Sequence, residues 1–208
     1  MVVLADSIIS YKNREYQIYP SIQKALRESK IAIAILNKQK YLKEIEKNLK
    51  STPTLFFPLN RDIKGNFSNT LLVESTESLK KDIAKIVTTL LNLTTKTSYN
   101  DITISWEDIK NIFSSAIVIS WGSGEGEEAI SNATTKAINL YNKKRKNLSS
   151  PKALLLHFYL NPAYPIINLI EAVEIIEKNF PNLTTIMFGV TTINSKEDRV
   201  SLTSIFIH

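Results

Sequence analysis

The densest group of chemically suggestive residues follows a short apolar run, Ala116 to Trp121. Gly122, Gly124 and Gly126 are three of the chain's five glycines, and Glu125, Glu127 and Glu128 are interleaved with them or follow at once. Glycines between a strand and a helix can form a phosphate cradle, because backbone N–H groups converge on an anion only where no Cβ intervenes. This stretch lacks the lysine that such a loop uses, and its glutamates would repel phosphate where it must be attracted. It is read as a structural turn, in which glycine supplies positive φ and close packing.

The other candidates are sparser. Ser105, Trp106, Glu107 and Asp108 precede a short helical segment, and acids in a first helical turn complement the helix dipole. His157 lies inside an apolar strand and His208 is the last residue; neither has a second His, Cys, Asp or Glu at ligand spacing, so no metal and no cofactor is expected. No Gly-x-Ser-x-Gly elbow and no placed base accompanies the many serines, so no enzyme is expected either. Lys38, Lys40, Lys43, Lys47 and Lys50 recur along one helical segment. They read as a stripe for nucleic acid or an acidic protein, or as the solvated side of an amphipathic helix; the interleaved Glu44 and Glu46 favour the second.

The chain's 208 residues suffice for one large domain or two small ones, and 43% hydrophobic content supports a real core. With no cysteine there is no disulfide framework and no thiolate chemistry. The start, Met1 to Asp6, lacks the basic region of a secretory signal, and no apolar run approaches the ~18 residues of a membrane span. A cytoplasmic protein is the expectation. The formal charge of +6 suits either a lysine-rich surface or an acidic partner such as nucleic acid, and Lys143, Lys144, Arg145 and Lys146 form one tight cluster.

The elements that must position these residues follow from periodicity. Apolar β-branched runs at 30–36, 53–57 and 70–74 predict buried strands, with a helix at 20–29 before the first and one at 38–50 between the first two; this order implies a parallel α/β layer. Leu79, Ile83, Ile86, Val87, Leu90 and Leu91 form one stripe over 78–93, with Ser75 or Thr76 placed to cap it. Beyond it, strands are expected at 117–121, 152–160, 184–191 and 199–207. One helix should carry Ile130, Ala133, Ala137, Leu140 and Tyr141, and another Ile166, Leu169, Ile170, Val173 and Ile176. The turn at 194–198 suggests that the last two strands form an antiparallel hairpin.

This grammar, joined by a long central helix, resembles the FtsZ/tubulin superfamily, best over 105–208. The residues that carry the resemblance are Glu107, Asp108 and Ile109, then Gly122 to Glu128, then Lys136, Ala137 and Ile138, followed by the runs at 153–156, 170–176, 185–189 and 199–203. The resemblance implies an α/β fold in three parts. These are a truncated parallel α/β layer over 1–77, resembling part of the GTPase domain, a central helix over 78–95, and an α+β C-terminal domain over 96–208. The apolar run at 31–36 takes the place of the strand that leads into the family's phosphate loop, yet Asn37, Lys38, Gln39 and Lys40 follow it without a glycine. The family's catalytic loop carries two acids to a neighbouring subunit's GTP. Here Ser105 replaces the first and Asp108 matches the second, with Trp106 in the aromatic place. The resemblance therefore implies a protein without the family's GTP site, in which Ser105, Trp106, Glu107 and Asp108 form a surface for another FtsZ/tubulin-like protein or a copy of itself.

Overall fold

A computed structural model of the chain describes residues 79–113, 116–145 and 148–208, together with six strands before them. Three of those strands, β1 (Val2–Ala5), β4 (Ala32–Leu36) and β5 (Thr54–Pro58), form a parallel sheet in the order β1-β4-β5. A two-stranded antiparallel pair joins β2 (Ser10–Tyr11) to β3 (Arg14–Glu15). The expected helices at 20–29 and 38–50, and the caps at Ser75 and Thr76, lie outside the described residues. The run at 70–74 does not join the first sheet. Its strand, β6 (Leu72–Val73), pairs in parallel with β7 (Ala116–Glu125) of a second sheet, and β1 completes the first.

The second sheet has the order β6-β7-β10-β8-β9, with β7 at Ala116–Glu125, β8 at Ala153–Leu160, β9 at Thr185–Thr192 and β10 at Arg199–Ile207. The expected β9–β10 hairpin does not form. β10 runs antiparallel between β7 and β8, and β9 pairs in parallel with β8 at the edge. Burial on both faces decides this. β10 turns Val200, Leu202 and Phe206 into one core and Ile205 and Ile207 into the other, so it is satisfied only at the centre of the sheet. Most of β9 is only partly buried, which suits an edge.

Helices cover both faces. The middle helix, α1 (Leu79–Thr94), and the short α2 (Trp106–Ile112) lie on one side. There Ile86, Leu90, Leu93 and Ile109 share a core with Ile117, Ile119, Leu155 and Ile205. α1 also buries Asp82, Ala84 and Thr89, so its buried surface is wider than the stripe read from sequence. On the other side α3 (Ala129–Lys144) and α4 (Leu169–Asn179) pack Ile130, Ala133, Tyr141, Leu169 and Ile176 against Val118, Leu156, Phe158 and Phe206. Tyr141 anchors this layer, stacking on Phe206 at 3.9 Å and meeting Phe180 edge-on at 5.4 Å between centroids.

Two local readings are corrected. Gly122 and Gly124 are not in a turn; they extend β7, and of the three glycines here only Gly126 has positive φ, at 80°. A Cβ on Gly122 would lie 1.9 Å from the Ala133 carbonyl oxygen, and one on Gly124 would lie 2.1 Å from that of Ala129. The glycines exist so that α3 can press against the strand backbone. In the segment after Pro165, a 3-10 turn (Ile166–Asn168) precedes α4, which buries Leu169, Ala172 and Ile176 but leaves Ile166, Ile167 and Ile170 exposed.

Candidate interaction site

The loop between α1 and α2 is pinned at both ends. Ile104 N–H donates to the Leu93 carbonyl at 2.8 Å, and Ile102 exchanges both backbone hydrogen bonds with Val190 of β9. Gly189 allows the close approach, since a Cβ there would lie 2.8 Å from the Ile102 carbonyl oxygen. Asp101 is the clamp. One carboxylate oxygen accepts from Thr97 N–H, Thr97 Oγ1 and Ser98 N–H, and the other from Thr192 N–H and Thr192 Oγ1, at 2.7–2.9 Å. Burial pushes this carboxyl up, but the donors from Thr192 and Thr97 outweigh it and hold Asp101 well below the usual carboxylate range. Sequence reading missed Asp101. The signal available was an aspartate ringed by Thr97, Ser98 and Asn100, a composition suited to side-chain-bonded turns.

At the loop's end the structure brings the four expected residues together as the start of α2. Ser105 is the N-cap: its Oγ accepts from Asp108 N–H at 3.1 Å and donates to Asp108 Oδ2 at 2.5 Å. Asp108 is thereby held as part of the cap. Glu107 and Asp108 face solvent, while Trp106 is half-buried against the α1 core and its Nε1 is a buried donor without a hydrogen-bond partner. The result is an acidic ledge that presents the Glu107 and Asp108 carboxylates outward.

The remaining candidates resolve separately. Glu125 pairs with Lys196 at 3.5 Å and Arg199 at 3.6 Å, both half-exposed or more, so the glycine-rich stretch ends in an ion-paired turn. His157 is buried, with Nε2 2.9 Å from Thr191 Oγ1 and its ring 4.3 Å from that of Tyr159. Burial pushes its imidazole down to about 3, against which the Asp101 charge works only partly. His208 is also buried, 3.5 Å from the Tyr141 hydroxyl. Among the described residues no group of His, Cys, Asp or Glu is arranged to hold a metal. Of the basic cluster at 143–146, Lys144 is buried in an ion pair with Asp82 and is no part of a surface patch. The Lys38 to Lys50 stripe lies outside the described residues. Among the described residues, no helix is long and apolar enough to cross a membrane.

No family model and no curated protein matches the chain. Solved structures do. The chain is similar to an FtsZ W319Y mutant from M. jannaschii at 18% identity and TM-score 0.52, covering 86% of this chain and 56% of that one. It is similar to CetZ2 from Haloferax volcanii, solved as a GTPγS-bound protofilament, at 12% identity and TM-score 0.57, covering 86% and 65%. A third match is TubZ of Bacillus thuringiensis serovar israelensis, solved as GDP-form protofilaments, at 10% identity and TM-score 0.55, covering 85% and 63%. The chain thus spans less than two thirds of the length of these proteins.

Proposed function

We propose that this chain, whose fold is FtsZ/tubulin-like, is a non-catalytic member of that fold group that has lost GTP binding and acts through protein–protein contacts. Its partner is a copy of itself or another FtsZ/tubulin-like protein, and its setting is cell division, filament regulation or DNA partition. The observation that carries this reading is the Ser105–Asp108 cap. The acid at the place of a catalytic-loop carboxylate is hydrogen-bonded to its own N-cap serine, and the first acid of the pair is that serine. A carboxylate held this way keeps the loop's shape and outward charge while committing one oxygen to its own helix cap. The glycine-free junction after Leu36 supports the same reading, because a backbone phosphate cradle needs residues without Cβ.

The test is sedimentation velocity across a concentration series, with and without GTP and magnesium, alongside calorimetric titration with GTP. Concentration-dependent assembly that ignores GTP, together with no heat of GTP binding, is the expected result. Tight GTP binding, or assembly that appears only with GTP, overturns the proposal.

A further inference from the structure

A cavity of about 790 Å³ opens on the α1 side of the second sheet, where α1 faces the adjoining ends of β7, β8 and β10. Its size is that of a small-molecule site. Lys85, Lys136 and Arg199 line it, and no carboxylate does so among the described residues. Thr203, nearly fully buried, and Ser201 bring hydroxyl donors to its floor, and Trp121 forms one wall. The acidic ledge at Glu107 and Asp108 takes no part in it.

The charges here are placed, not scattered. Lys136 reaches from α3 to donate to the Ser123 carbonyl at 2.9 Å, which fixes its ammonium at the mouth. Lys85 stands 4.0 Å from the centre of the Trp121 ring. Arg199 holds Glu125 at 3.6 Å with both side chains about half exposed, a contact of little strength that a phosphate or carboxylate can displace. Three cations lining one cavity with an aromatic side chain and hydroxyl donors match an anion on an apolar body.

We propose that this cavity binds a small organic anion, its phosphate or carboxylate held by Lys136, Arg199 and Lys85 and its apolar body set against Trp121. The proposal rests on neither a GTP site nor the self-association proposed above.

Calorimetry with 1-naphthyl phosphate, 1-naphthol and inorganic pyrophosphate tests it on the full chain. One-site binding of 1-naphthyl phosphate is expected, at least about tenfold tighter than 1-naphthol and weakened at least about tenfold in a Lys136→Ala/Arg199→Ala variant. Pyrophosphate is expected to compete. Lys136→Gln alone, at an exposed position, is the second variant, expected to weaken binding several-fold with an unchanged circular dichroism spectrum. Absence of 1-naphthyl phosphate binding, equal binding of 1-naphthol, or full affinity in folded Lys136→Gln each overturns the proposal.

Discussion

Lys144 Nζ lies 3.1 Å from both carboxylate oxygens of Asp82, and the two side chains are only 4% and 5% exposed. The pair joins helices on opposite faces of one sheet. Lys144 closes α3, Asp82 sits in the first turn of α1, and β7 runs between them. The link passes where β6 stops, since β6 covers β7 only at Ala116 and Ile117. Alternate residues of β7 there turn their backbone groups away from β10, and two lysines answer them: Lys144 donates to the Ile119 carbonyl and Lys136 to that of Ser123. Eight helical residues rise about 12 Å and four strand residues about 13 Å, so one antiparallel helix caps both. Lysines along an open edge also discourage strand addition.

Breaking this pair from one side leaves a buried charge. Lys144→Met is expected to cost about 3–5 kcal/mol in urea denaturation, and Asp82→Ala a similar amount. The double variant Asp82→Leu/Lys144→Met should recover most of that loss, because an apolar pair needs no desolvation. A double variant as unstable as the singles would show that the Ile119 carbonyl, and not the ion pair, sets the cost.

The three glycines predict different outcomes. Gly122→Ala and Gly124→Ala drive a Cβ into the backbone of α3, so each is expected to cost about 3 kcal/mol, the upper end of overpacking. Gly126→Ala meets nothing within 4 Å and carries only the left-handed penalty of about 1–2 kcal/mol. Thermal melts of the three variants should rank Gly126→Ala as the mildest.

Local pattern showed most of the elements in the second half but not their neighbours in space. The strand at 199–207 was plain from alternation, while its seat between β7 and β8 depends on both faces being apolar, which only a two-sided core reveals. Gly122 and Gly124 read as a turn because composition cannot distinguish a glycine needed for φ from one needed for helix contact. Glu107 and Asp108 were read as a first helical turn, but Ser105 was not read as its cap, although a serine three residues before an acid is a helix-start signature. Asp101 was not legible, because two of its five donors lie at Thr192, 91 residues on. The cavity was equally hidden: Lys85, Lys136 and Arg199 come from three separate elements.

Acid should destabilise the fold in two stages. The folded His157 sits at about 3 against an ordinary 6.5, so between these values the unfolded chain takes up a proton that the native state refuses. Stability is therefore full above about pH 6.5 and falls as pH drops toward 3, with a slope approaching ~1.4 kcal/mol per pH unit. His208, also lowered by burial, adds in the same direction. Asp101, whose folded carboxyl titrates below its unfolded value of about 3.9, contributes stability that is lost only below that point. Urea midpoints from pH 7 to 4 should show the decline, and His157→Gln, which can still bond the Thr191 hydroxyl, should flatten it. An unchanged slope in that variant would assign the effect elsewhere.

The proposed self-association needs apolar contact as well as the acidic ledge. Ile167 of the 3-10 turn and Ile170 of α4 are 68% and 53% exposed, and Glu171 and Glu174 of α4 are also exposed. Isolated exposed isoleucines are ordinary, but two of them within one turn, beside the exposed Ile166, make a compact patch. Since neither side chain contributes to the core, Ile167→Asp/Ile170→Asp is expected to change monomer stability by no more than about 0.5 kcal/mol per site. The same variant should weaken self-association at least about tenfold in sedimentation equilibrium, roughly 1.4 kcal/mol. Adding Glu107→Lys should weaken it further if the ledge and the patch serve one interface, and the loss should be the same with and without GTP. Undiminished assembly by the double aspartate variant would remove this patch from the interface and leave the ledge to be tested alone.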